Sequence, residues 1–203
     1  MSIDMNPNYI GWSIIDWKSE AEFQIIKTGI YSIKTLNDKN FNLNGYSSDS
    51  KERIHLNNKR NHEILEISKN LINKAIYYQC QVFSMEDLSI NSKDNDKGKK
   101  FNKLINNLWC RNKLTDNLTR RCNINNIKLI KVKPEYSSFI GNFLYRSLNL
   151  PDMILASIEI SRRGYEFYNQ YITKLKNIKK NIIQPDLSKF KQLYLKSLEE
   201  FKL

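Results

Sequence analysis

Three things are scarce in this chain of 203 residues, and each scarcity closes off a class of protein. Its three cysteines, Cys80, Cys110 and Cys122, are an odd set with no C-x-x-C pair, which supports neither a disulfide framework nor a zinc ribbon and predicts reduced thiols. Long apolar runs are missing: nothing approaches the roughly 20 residues that cross a bilayer, and no charged stretch leads into an apolar one at the N-terminus. A soluble, intracellular (cytoplasmic) protein with no membrane partner is expected. Arginine is scarce among the cations, at eight of 33 basic residues. Most of the positive charge therefore rides on flexible lysine stems, which attract at long range but do not read base edges with a bidentate fork.

What the chain does have is charge of one sign. With 33 Lys and Arg against 21 Asp and Glu it carries a net +12, which favours a polyanionic partner, because neutralised phosphates release their counterions. Nucleic acid comes first on that ground and an anionic membrane surface second. A hydrophobic content of 40% is enough for one buried core, so a single domain with a helical appendage is expected.

Local pattern divides the chain further. Residues 9 to 17 and 22 to 30 are rich in Ile, Trp and Phe and are split by the polar K-S-E-A, which reads as a hairpin. Asn6-Pro7-Asn8 is turn chemistry, so S-I-D-M should begin a three-strand antiparallel meander. Residues 35 to 50 are Asn-, Asp- and Ser-rich without periodicity and are expected to form a loop. Ile64, Ile67, Leu71 and Ala75 then recur at helical steps. A short strand at 81 to 86, a basic loop at 91 to 100, a helix from Phe101 through Leu114, Leu118 and Cys122, and the strand I-K-L-I-K-V complete strand-helix-strand units. Pro151-Asp152 opens a helix expected to run from 153 to 180, with a shorter one after Pro185.

Three acids fall at the ends of these elements. Asp4 and Glu86 close short apolar strands, and Asp152 sits in a first helical turn, where the helix dipole favours a carboxylate. Each has an ordinary reading alone: a solvated terminal acid, one of a strand-end Glu-Asp pair, and a helix cap. Together they are candidate ligands for two divalent cations about 4 Å apart at a phosphodiester.

The quoted segments also resemble a known family. I-D-x-N-P-x-x-I-G-W-S-I-I at the N-terminus, E-D-L at 86 to 88, K-V-K-P-E-Y-S-S at 131 to 138 and D-x-x-x-A-S-I-E-I-x-R-R-G at 152 to 164 are similar, in order and spacing, to RuvC-type nucleases of transposon-encoded RNA-guided proteins and type V CRISPR effectors. The resemblance is to a compact form without the zinc ribbon or the N-terminal guide-recognition domains. It covers roughly residues 2 to 168 and implies an α/β fold of RNase H-like type, a mixed five-stranded sheet flanked by helices; the domain is expected to take in residues 1–183, with 184–203 as a C-terminal helical tail. It also implies Asp4, Glu86 and Asp152 as catalytic metal ligands, two Mg²⁺ or Mn²⁺ ions as cofactors, and hydrolysis of DNA by metal-assisted attack of water.

Further residues are candidates for holding nucleic acid. Lys97, Lys99 and Lys100 follow Glu86 as a basic run that is otherwise a solvated loop. Ser137 and Ser138 follow the last strand and either hold phosphate oxygens or form a plain turn, and one of Arg162 and Arg163 could reach a phosphate along the cleft. The expected partner is DNA, with a guide RNA or an RNA–DNA hybrid, a homodimer and a larger nucleoprotein assembly left open. The alternatives are a Holliday-junction resolvase and a catalytically silent nucleic-acid-binding subunit.

Overall fold

A computed structural model describes residues 1–42, 51–88 and 111–176. In chain order the elements are β1 (Ser2–Met5), β2 (Tyr9–Trp17), β3 (Phe23–Ser32), α1 (Lys34–Asn42), α2 (Lys51–Tyr77), β4 (Val82–Glu86), α3 (Arg111–Ile124), β5 (Lys128–Val132), α4 (Ser137–Tyr145), a 3-10 turn (Arg146–Leu148) and α5 (Asp152–Lys176). The strands form one five-stranded mixed sheet in the order β3-β2-β1-β4-β5, flanked by helices, so the coarse α/β expectation stands.

The meander is held by local chemistry. Asn6 Oδ1 accepts the Asn8 and Tyr9 amides, at 3.2 and 2.9 Å, and so closes the β1–β2 turn. At the other end of the hairpin the Lys18 and Ser19 amides both bond to the Glu22 carbonyl. Between them the register moves from Ile14 opposite Lys27 to Ile15 opposite Ile25, leaving Ile26 as the extra residue of a β-bulge.

Alternation along each strand gives the sheet two unlike faces. Ile3, Met5, Ile10, Trp12, Ile14, Phe83 and Met85 join Ile64, Ile67, Leu71, Ile72 and Ala75 of α2 and Leu114, Leu118 and Cys122 of α3 in one apolar core. The opposite face, under α5, carries Ser2, Gly11, Ser13 and Ser84. There Ser2 Oγ donates to the Ser157 carbonyl at 2.7 Å and lies 2.8 Å from Ser13 Oγ, which is 2.9 Å from Ser157 Oγ. These three hydroxyls are fully buried and satisfy one another. Small residues here let α5 lie close: a Cβ on Gly11 would meet the Met153 carbonyl oxygen at 2.4 Å, and one on Gly164 would fall on the Ser84 side chain.

Two local expectations change. The stretch from residue 35 is not loop throughout: α1 runs over Lys34–Asn42, and residues 43–50 lie outside the described ones. Its sequence is a poor helix former, and a long-range contact supplies what propensity does not, with Asn37 Nδ2 bonded to the Pro7 carbonyl at 2.8 Å and to Asn8 Oδ1 at 2.9 Å. The second is Ser137–Tyr145, where a turn was one of the two readings and a helix is found. The helix segment from Phe101 to Cys110, the basic loop and the region after Lys176 lie outside the described residues.

Candidate functional site

Strand pairing brings two of the three acids side by side. β1 and β4 are parallel neighbours with Ser2 level with Ser84 and Ile3 with Met85, so one step further Asp4 comes level with Glu86. Both point to the α5 face, in phase with Ser2 and Ser84. The third acid arrives because of a glycine. Gly11 on β2 is paired with Asp4 across the β1–β2 ladder. Its missing side chain lets the first turn of α5, at Met153, settle on the sheet beside Asp4. Asp152, the first residue of that helix, is thereby delivered to the same corner.

The electrostatics record this convergence. Asp4 is only 8% exposed, and its carboxyl is pushed up to about 8 by burial first, then by the charges of Glu86 and Asp152. Burial also raises Glu86, opposed by a hydrogen bond from Ser137 and by the positive charge of Arg163.

Helix α4 attends to the remaining carboxylates. The Ser137 hydroxyl donates to Glu86 Oε1, and the Asn142 side-chain amide donates to Asp152 Oδ1. Among the described residues no group of three or more His, Cys, Asp or Glu side chains is arranged to hold a metal ion, and these two bonds hold two of the acids to α4. The donor chemistry nevertheless suits a hard divalent cation. All three acids offer carboxylate oxygens, and their mutual repulsion is what such a cation would relieve.

The other candidates fall out differently. Arg163 is 9% exposed and fully engaged inside the protein. Its Nε donates to Glu159 Oε1 at 2.8 Å, its Nη1 to the Lys133 carbonyl at 2.6 Å and its Nη2 to the Glu135 carbonyl at 3.0 Å. Arg162 clasps the same glutamate through two bonds of 2.9 Å and reaches Glu166 at 3.4 Å. Both arginines, one of which was expected to contact phosphate, join an internal ion cluster around Glu159, which is wholly buried. Ser137 is likewise buried and committed to Glu86, whereas Ser138 stays exposed in the first turn of α4. Lys97, Lys99 and Lys100 lie outside the described residues.

Acids and polar residues set aside from the sequence stay outside the cluster. Asp16 pairs with Lys18 at 2.7 Å on the hairpin surface, Asp87 is exposed, and His55 and His62 lie on the outside of α2. Asn142 and Glu159 were missed. Glu159 lies inside the quoted third motif as a charged residue in an otherwise apolar run, and that was the available signal. Asn142 offered none, since its helix was not expected.

No family model matches the chain, and no curated protein matches it either. What fold and site define is a class: an α/β protein whose mixed five-stranded sheet gathers buried acids where two adjacent parallel strands end under a helix N-terminus.

Proposed function

We propose that this chain is a divalent-metal-dependent endonuclease of RNase H-like, RuvC-type fold that hydrolyses DNA phosphodiester bonds. The observation that carries the reading is the level pairing of Asp4 and Glu86 on parallel strands with Asp152 arriving from above. Strand order 3-2-1-4-5, with only the first three strands antiparallel, supports the fold assignment.

In this reading Asp4, Glu86 and Asp152 would hold two Mg²⁺ or Mn²⁺ ions, which when bound supply Lewis acidity and a strong nucleophile at neutral pH. The chain's own residues do the rest. Asp4, desolvated between its neighbours, gives up its proton when a cation offsets the repulsion. Ser137 and Asn142 fix the rotamers of Glu86 and Asp152, and the sheet fixes the spacing of the first two acids. The net +12 draws in the phosphate backbone without selecting a sequence.

Asp4→Ala, Glu86→Ala and Asp152→Ala should each lower cleavage of DNA in Mg²⁺ by about a thousandfold or more, with circular dichroism and DNA affinity nearly unchanged. A panel of single-stranded, duplex and branched DNA, with Mg²⁺, Mn²⁺ or chelator, measures this and identifies the substrate. Undiminished cleavage by any one variant removes that residue from the mechanism. DNA binding with neither cleavage nor Mn²⁺ uptake makes the chain a silent scaffold.

A further inference from the structure

Arg163 stands eleven residues beyond Asp152 on α5, and its guanidinium is turned inward, with only 9% of the residue exposed. It spans from Glu159 on its own helix to two carbonyls of the turn after β5, those of Lys133 and Glu135. That turn passes through Tyr136, held at φ 58, a left-handed conformation uncommon for a residue with a Cβ, and then into Ser137. The Ser137 hydroxyl ends the path on Glu86.

The backbone at Glu86 is already fixed, since it pairs with Val132 across β4–β5 and the next amide, of Asp87, bonds to the Val132 carbonyl at 2.8 Å. What the sheet does not fix is the long Glu86 side chain. Ser137 engages it at Oε1. The position of Ser137 depends in turn on a strained turn that the forked guanidinium holds at two points. A lysine ammonium, a single centre on a flexible stem, cannot reproduce that fork.

We infer that Arg163 and Ser137 are positioning residues, a relay from the buried Glu159 that orients the Glu86 carboxylate for cation binding. The inference rests on the metal-site reading above. Partners that orient a ligand in this way typically change metal affinity by about 10- to 100-fold.

The test is Mn²⁺ titration of the full chain, followed by electron paramagnetic resonance and calorimetry, with melting temperature measured in parallel. Arg163→Lys and Ser137→Ala should each weaken Mn²⁺ binding about 10-fold or more. The Ser137→Ala melting temperature should stay close to that of the unaltered chain, a split that a purely structural role would not produce. Because both residues act on one carboxylate, the double variant should bind Mn²⁺ no more weakly than the worse single variant. Unchanged affinity in Ser137→Ala, or full additivity in the double variant, overturns the relay. If Arg163→Lys does not fold, Ser137→Ala decides alone. Asp4→Asn keeps the two failures apart: unaltered protein that binds Mn²⁺ no better than Asp4→Asn removes the metal site itself, and the relay with it.

Discussion

The two faces of the sheet solve opposite problems with the same strands. Toward α2 and α3 the side chains are large and apolar, among them Ile3, Phe83 and Met85, each at most 1% exposed. That face contributes stability by removing hydrocarbon from water. Toward α5 the same strands present Ser2, Gly11, Ser13 and Ser84 and end in Asp4 and Glu86. Little hydrocarbon is available there over β1 and β4. Close approach takes its place, and the close approach brings a helix N-terminus and its carboxylate onto the strand ends. The acids can sit together because the middle of the face beneath α5, over β1 and the end of β4, gives up bulk, while Ile15, Trp17, Ile130 and Val132 pack against that helix on either side. A face built like the other would hold the helix farther away and leave Asp152 apart from Asp4.

That contrast can be broken from either side. The largest effect on stability should come from the apolar face: Leu71 is wholly buried, and Leu71→Ala should cost about 2–5 kcal/mol in urea unfolding by leaving a cavity. Mn²⁺ affinity below the transition should be unchanged, and a lost site would mean that the faces are not separable.

On the polar face, Gly11→Ala adds a single carbon where the Met153 backbone oxygen already stands 2.4 Å away. It should cost about 1–3 kcal/mol and, unlike Leu71→Ala, should weaken cation binding by lifting the first turn of α5. A Gly11→Ala protein as stable as its parent would refute the close approach.

The smallest effect per step sharpens the electrostatic difference. In the folded chain Asp4 keeps its proton up to about pH 8, whereas the ordinary carboxyl value is 3.8. The folded state thus binds more protons in between, so the stability from this group is fully present below 3.8 and is lost as pH rises through about 8. Glu86, also raised, acts in the same sense. Metal-free protein in chelator should lose up to about 1.4 kcal/mol per pH unit from Asp4 alone across that window. Mg²⁺ should flatten the slope, and Asp4→Asn should remove most of it. A slope that persists in Asp4→Asn would place its origin elsewhere.

Much of the frame was legible before any coordinates. S-I-D-M and V-F-S-M-E alternate with period two, so the phase that buries Ile3 and Met85 also sends Asp4 and Glu86 to one face. The stripe through Ile64, Ile67 and Leu71 announced α2, although the helix begins well before it, at Lys51. The partners of the two arginines were not legible, because a charged pair on a helix near a predicted phosphate path looks the same in sequence whether it faces a ligand or a buried glutamate. Helix α4 was missed because its nine residues carry too short an apolar stripe beside a serine pair that resembles a turn.

The sequence by itself determined the strands, the main helices, the excess of positive charge and the three acids at element ends, because periodicity and turn chemistry act between residues close along the chain. Tertiary structure alone decided which partners those groups have. The Ser137–Glu86 bond spans 51 positions, the Ser2–Ser157 bond 155, and the approach of Met153 to Gly11 depends on how far a helix can sink onto a sheet. Such contacts are set by the packing of whole elements, and no local pattern encodes them.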